Sequence, residues 1–245
     1  MRRVSTWDPP DRDAFWLDAL WFQARHNGMM AAFMSAPPRL GIVVGLVAEA
    51  RIAFPLGAVE IGGGLPEGAR AAAERLIRAG ATGLLSFGLA GGLHPELSAG
   101  ATVIPARILH HGQAYAADPA LLAWLGGPNA GSLIATDRPV ATAAAKRALH
   151  RDSGASAVDL ESGELAAVAA AHGVACAALR VICDPAGRDL PATALAALDR
   201  RGAIGLLRVA ASVLRHPLQL PALLRLAGDA AAAHAMLRRL VAALA

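Results

Sequence analysis

The sequence predicts an α/β fold: a central, mostly parallel sheet flanked by helices, with extra helices toward the C-terminal end. Two observations carry this reading. Leu40–Val47, Thr82–Ser86 and Val174–Cys183 are short apolar runs with almost no interruption. Strands buried on both faces read this way, whereas half-solvated strands alternate. Between the runs lie stretches with helical apolar spacing, several bounded by Pro or Gly, and strands that alternate with helices build parallel sheets. The 245 residues suit one such domain rather than two. We expect it over residues 39–245, with a helical tail over 199–245, after an N-terminal extension over 1–38.

The extension holds Trp7, Trp16 and Trp21 and ends in Ala36-Pro37-Pro38. It reads as a poorly ordered addition, or as an over-long start before Met34, with an interaction arm as the other reading. The ordered pattern begins at Leu40, whose strand passes Gly45 into Ala48-Glu49-Ala50-Arg51. Glu49 and Arg51 therefore stand where a first-strand loop becomes a helix. Phe54–Gly64 is expected to be a short strand and turn, broken by Gly62-Gly63-Gly64. Pro66–Ala79 is an amphipathic helix with Ala69, Ala73, Leu76 and Ile77 inward and its Glu and Arg residues outward.

Thr82–Ser86 leads into Phe87–Leu93 (FGLAGGL), expected to be a loop. Its glycines let backbone N–H groups approach an anion or a sugar hydroxyl. The G-x-x-G-G spacing is neither a dinucleotide fingerprint nor a Walker loop, and alone it reads as a tight turn. Ala101–Leu109 is the next strand, followed by a loop with His110, His111 and Tyr115. Adjacent His residues on an extended segment face opposite ways, so no metal pair is expected there. Asp118–Trp124 is a short helix, Ser132–Thr136 a strand ending at Asp137-Arg138-Pro139, and Ala141–His150 another short helix.

The stretch Ala157–Gly187 carries most of the chemistry. Asp159 and Glu161 open an Ala-rich helix, whose N-terminal amides and dipole favour carboxylates. His172-Gly173 ends that helix, and Val174–Cys183 is the buried strand. Arg180 interrupts the strand as a cation, and Asp184 follows its last residue, where ligands collect in open α/β sheets. Arg180 could pair with a structural carboxylate and Asp184 could cap the next turn; both residues could equally belong to a site. Beyond Gly187, helices are expected over Leu190–Ala197, Ala203–Arg215, Ala222–Leu226 and Ala230–Ala245, with Pro217 and Pro221 as breakers. From Arg200 onward the cationic residues are all Arg, opposed only by Asp229. Such Leu-rich faces suit packing with snorkelled arginines or contact with an anionic lipid surface.

Composition excludes several classes. Hydrophobic residues make up 55% of the chain, so low-complexity disorder is excluded. The net charge of +4 is small and scattered, which argues against a nucleic-acid partner. Cys176 and Cys183 both fall in the buried strand, with no metal-ligand spacing and no disulfide framework. Acidic residues interrupt any signal-peptide core, and no uncharged apolar run reaches about 18 residues. The expected location is the cytoplasm.

Gly41–Arg51 (GIVVGLVAEAR), Ser86–Pro105 (SFGLAGGLHPELSAGATVIP) and Val158–Gly187 together resemble the signature regions of the nucleoside phosphorylase/nucleosidase superfamily. The resemblance runs from about Leu40 to Arg215, and the combination of GLAGGL, VDLES and LRVICD carries it. Within the superfamily the chain looks most like the hopanoid-biosynthesis-associated phosphorylases, through GLVAEARIA, SFGLAGGL and the Leu/Arg-rich tail. The resemblance implies a three-layer phosphorylase/hydrolase-like fold, a homo-oligomer, and cleavage of a purine nucleoside without a cofactor or metal. For that branch the substrate is adenosylhopane, a lipid-linked nucleoside, which would bring the tail to the inner membrane surface.

By the same resemblance, Asp184 is the acid at N7 of the departing purine and Glu161 the ligand of the ribose hydroxyls, flanked by Asp159 and Leu160. Ser86, Gly88 and Gly91 line the ribose site. Nucleosidases place a carboxylate after the first strand to position water, which Glu49 matches. Phosphorylases use an Arg near there, which Arg51 matches, with Arg180 and Gly45 as further phosphate-site residues and inorganic phosphate as co-substrate. Hydrolysis and phosphorolysis thus stay open. Pro139 stands near where nucleosidases put an aromatic that stacks on adenine. The shortened loop over His110–Asp118 suits a bulky 5′ substituent. The alternatives are a methylthioadenosine/adenosylhomocysteine nucleosidase with soluble substrates, and a nucleoside- or lipid-binding peripheral protein without chemistry.

Overall fold

One nine-stranded sheet organises the computed structural model, which describes residues 39–191 and 220–245. The elements in chain order are β1 (Leu40–Val44), α1 (Val47–Ala53), β2 (Ala58–Ile61), α2 (Pro66–Arg78), β3 (Gly83–Gly92), β4 (Thr102–Val103), β5 (Pro105–His110) and β6 (Gln113–Ala116). Then come α3 (Pro119–Leu125), β7 (Ala130–Ala135), α4 (Ala143–Ser153), β8 (Ala157–Asp159), α5 (Ser162–His172), β9 (Ala175–Asp184) and α6 (Leu220–Leu244). The strands run in the order β2-β1-β3-β8-β7-β5-β6, with β9 against β3 and β4 against β9. Parallel pairs predominate; β3–β8, β4–β9 and β5–β6 are antiparallel. The expected mixed, mostly parallel sheet is present.

Helices cover both faces, which is why the central strands are apolar throughout. On one face, α2 and α5 bury Ala69, Ala73, Leu76, Leu165 and Ala169 against Val43, Leu84 and Ala178. On the other, α1, α3 and α6 bury Ile52, Trp124, Leu237 and Val241 against Ile42, Phe87 and Leu179. The two clusters give three layers with β3 and β9 in the middle. β3 has β9 along one edge from Gly83 to Gly91; on the other edge β1 pairs with its first half and β8 meets only its last residues. The strands diverge where the glycines lie, and a crevice opens there.

Several local expectations are corrected. Phe87–Gly92 is not a loop but the second half of β3, paired with β9 through Gly91 opposite Asp184. Ala101–Leu109 is two strands, because β4 pairs with β9 while β5 turns to pair with β7 and β6. The His-containing loop is the β5–β6 hairpin. His111 sits in the left-handed region (φ 47°) at its tip, and the two His rings stack 3.9 Å apart rather than facing opposite ways. Ala157–Asp159 forms β8 before the helix begins. The two helices expected over Ala222–Leu226 and Ala230–Ala245 are one, α6, which runs through Gly228 and is anchored to the core by Ala233, Leu237 and Val241. The helices expected over Leu190–Ala197 and Ala203–Arg215, and the extension over 1–38, lie outside the described residues apart from Leu190 and Pro191.

Candidate active site

The crevice gathers side chains from four strand ends. After β1 the chain turns at Gly45-Leu46 into α1, and Glu49 occupies the third helical position. Its carboxylate folds back on the helix start, where unpaired amides and the dipole welcome an anion. Oε2 accepts from the N–H groups of Gly45 (2.9 Å) and Leu46 (2.8 Å), and Oε1 from that of Leu89 on β3 (2.9 Å). Glu49 is thereby fixed in orientation although it is buried. Gly88 makes room for it. Its φ of +148° suits glycine, and a Cβ there would stand 2.5 Å from Glu49 Oε1 and 2.9 Å from Arg180 Nη1.

Arg180, fully buried in the middle of β9, is the hub of the sugar-side wall. Its Nη2 lies 2.6 Å from Asp159 Oδ2, 2.5 Å from Ser86 Oγ, 3.3 Å from Ser162 Oγ and 3.8 Å from Glu161 Oε2. Asp159 also accepts from the N–H (3.3 Å) and the hydroxyl of Ser162. Glu161 Oε1 accepts from Gly64 N–H at 3.2 Å. A side chain on Gly45 or Gly62 would collide with the Glu161 carboxylate, at 2.9 and 2.8 Å. These contacts all run through Nη2 and tie Arg180 to the wall, whereas its Nε is buried with no partner among the described residues.

Opposite this wall, Asp184 ends β9. Its Oδ2 lies 2.5 Å from Nζ of Lys146, a side chain with no exposed surface that reaches in from α4. The same Nζ donates to the carbonyls of Pro185 (3.1 Å) and Arg188 (2.9 Å). Sequence reasoning missed Lys146. The one available signal is compositional: it is the only lysine of the chain.

Between the two walls lies a cavity of about 240 Å³. Glu49, Asp159, Glu161 and Asp184 line it with Gly45, Gly91 and Leu160, and Leu46, Leu89, Pro139, Val140 and Leu190 add apolar surface. No Arg or Lys is among the described residues of its lining. Four expected site residues are absent from it: Ser86, Arg51, and Gly88 and Arg180, which stand behind Glu49 and the sugar-side carboxylates. Ser86 is wholly buried behind the wall, as an acceptor for Arg180. Arg51 points the other way, into an outer groove with Ile52, Pro55 and Arg238. The α-helical period explains this: Glu49 and Arg51 are two residues apart and cannot share a face.

Burial shifts the titration of Glu49, Glu161 and Asp184. Burial pushes Glu161 up to about 8, against the pull of Arg180 and reinforced by Glu49 and Asp159. Burial likewise raises Glu49, although Arg180 and the three backbone N–H groups oppose it. Asp184 is raised by burial too, with Lys146 pulling it back. Glu161, at about 8, therefore keeps its proton at neutral pH, and the upward shifts of Glu49 and Asp184 mark the crevice as a place where acid–base chemistry is expected.

Comparison with known proteins adds sequence and fold evidence. A family model described as the phosphorylase superfamily matches residues 128–215. No curated protein sequence matches the chain. Among solved structures, a Helicobacter pylori MTAN mutant with 5′-methylthioadenosine in its active site aligns over 85% of this chain and 100% of its own, at 16% identity and a TM-score of 0.59. S-adenosylhomocysteine nucleosidase from Streptococcus pyogenes, in complex with 5-methylthiotubericidin, aligns over 62% and 87% at 18% identity and a TM-score of 0.55. A futalosine hydrolase mutant of H. pylori aligns over 59% and 88% at 19% identity and a TM-score of 0.54. The fold is the one these nucleosidases share, and the segment that carries Asp159, Glu161, Arg180 and Asp184 is matched to the phosphorylase superfamily, which supports that superfamily for this chain.

Proposed function

We propose that this protein cleaves the N-glycosidic bond of a purine nucleoside with water as the nucleophile. The observation that carries the choice of water is the charge of the cavity: four carboxyl side chains and no cation among the described lining residues. A phosphate anion finds no cationic partner in that lining, whereas a ribosyl centre gaining oxocarbenium character is favoured by a nearby carboxylate. In this reading the C1′–N9 bond breaks with its electron pair leaving on the base, and Asp184 donates a proton at N7. The water oxygen bonds to C1′ and its proton passes to Glu49, whose Oε1 takes a single backbone bond and keeps acceptor capacity. Glu161 holds the ribose hydroxyls. Phosphorolysis, with Arg51 or Arg180 on phosphate, is the weaker reading because neither guanidinium reaches the cavity.

For the substrate we propose adenosylhopane. The resemblance to hopanoid-associated phosphorylases supports it, as does the apolar lining through Leu46, Leu89, Val140 and Leu190. The Leu- and Arg-rich tail would meet the membrane surface, and self-association belongs to the same reading. Among the described residues no helix is long and apolar enough to cross a membrane. A methylthioadenosine/adenosylhomocysteine nucleosidase is the second reading, favoured by the solved structure that holds 5′-methylthioadenosine. The test is adenine release from each nucleoside in phosphate-free and phosphate buffer, with the mass of the sugar product. We expect the free ribosyl product and no phosphate requirement. A ribose phosphate product sinks hydrolysis; turnover of adenosylhomocysteine but not adenosylhopane sinks the lipid substrate. Asp184→Asn should lower adenine release by about 10²–10⁴-fold.

A further inference from the structure

Lys146 has no role in the chemistry above, yet with Arg180 it is one of two buried basic side chains paired with a site carboxylate among the described residues. Helix α4 carries it inward one turn beyond the buried Ala143, to a position with no solvent contact. Its nitrogen meets three oxygens, those of Asp184 Oδ2, Pro185 and Arg188, which only the three-proton ammonium form can satisfy as a donor. The turn after β9 is tied to α4 twice more. Asp189 Oδ1 accepts from Ala143 N–H at 2.7 Å, and Leu190 N–H donates to Ala141 at 2.7 Å. From the far side, Arg188 pairs with Asp229 of α6 at 2.6 Å. Asp184 Oδ1, by contrast, takes no bond from any described residue.

We propose that Lys146 is a positioning residue for the leaving-group acid: it clamps Asp184 through Oδ2 and pins the 184–190 turn, leaving Oδ1 to meet the base. This rests on the reading of Asp184 as the N7 acid. A plain packing role would need no cation, and an apolar side chain of equal length would serve. The clamp also has an electrostatic consequence. The charged and titratable groups around Asp184 are Lys146 from α4, Arg188 from the turn, Asp229 from α6, the adjacent Cys183, whose thiol is pushed up to about 12, and Glu49 across the cavity. Of these, Lys146 is the nearest cation and lowers the Asp184 carboxyl the most. Because a general acid works only while protonated, activity should fall as pH rises through the Asp184 titration. Removing the ammonium should move that fall to higher pH.

The experiment compares wild type with Lys146→Met. Adenine release against pH should show the alkaline limb displaced upward by about one unit or more in the variant, with kcat reduced about 10–100-fold and KM changed less. Carbon-13 titration of the Asp184 carboxyl should show the same upward move. An Asp184 titration and alkaline limb unchanged in folded Lys146→Met would overturn the proposal. If that variant does not fold, wild type alone decides. The chain has one lysine, so ε-¹⁵N labelling gives one side-chain resonance, and it must step at the pH where Asp184 titrates. A resonance that ignores Asp184 overturns the clamp. The carboxyl and lysine titrations need no substrate, so absence of adenine release from every nucleoside would remove the enzymatic reading while these still judge the pair.

Discussion

Two buried cations face each other across the cavity, and they differ in how many anions each must serve. Arg180 stands among Asp159, Glu161 and Glu49, so the sugar-side wall carries more negative charge than its cation can balance. Lys146 meets a single carboxylate and fills its remaining donors with carbonyls. The first arrangement leaves Glu161 raised to about 8, so that it holds its proton near neutrality. The second makes a balanced pair at the leaving-group end. A planar guanidinium with several donors can organise a crowd of oxygens, whereas an ammonium is a point charge that suits one ion and its neighbours.

Three substitutions would break or sharpen that contrast. The largest effect is expected from Arg180→Met, which leaves the buried sugar-side carboxylates without a cation. Removing one partner of a buried pair costs about 3–5 kcal/mol, and urea unfolding at pH 7 should place this variant well below Lys146→Met. Equal losses would mean that the two clusters are energetically alike. Gly88→Ala comes next, because its Cβ would strike Glu49 Oε1 and crowd Arg180 while taking a φ that disfavours alanine. About 1–3 kcal/mol is expected, with the Lys146–Asp184 pair untouched. The smallest change is one of slope. Glu161 titrates near 8 in the fold against an ordinary 4.5, so its folded state binds the proton more tightly. That contribution is fully present at pH below about 4.5 and is lost as pH rises through 8. Glu161→Gln should therefore flatten the decline in Tm between these values; an unchanged slope would show that Glu161 does not hold the extra proton.

The contrast also marks what could be read in the chain. Arg180 was legible because a cation inside an apolar strand requires a partner, and Glu49, Glu161 and Asp184 because each lies near a strand end. Lys146 was not: AAAKRALHR reads as a helix with a solvated charged face, and only the turn beyond β9 makes the inward position favourable. Ser86 was placed at the ribose by its neighbourhood, yet the fold turns it onto Arg180. The glycines of β3 looked like a loop since glycine is poor in strands, and it is pairing with β9, distant in sequence, that extends them. The last helix was split at Gly228-Asp229 because local propensity cannot weigh the core contacts that Ala233, Leu237 and Val241 make beyond the glycine. The sheet itself was legible throughout, as its strands are apolar on both faces.

The pairing of Asp229 with Arg188 has a consequence for how the protein is made and handled. During synthesis Lys146 and Asp184 leave the ribosome long before Asp229 does, so the turn that presents the acid is braced on its outer side only when the final helix docks. A chain cut short ahead of Asp229 would keep every described residue that lines the cavity and still lose that brace. Fusion partners attached at Ala245, beside the outer groove of Arg51 and Arg238, would load the same helix.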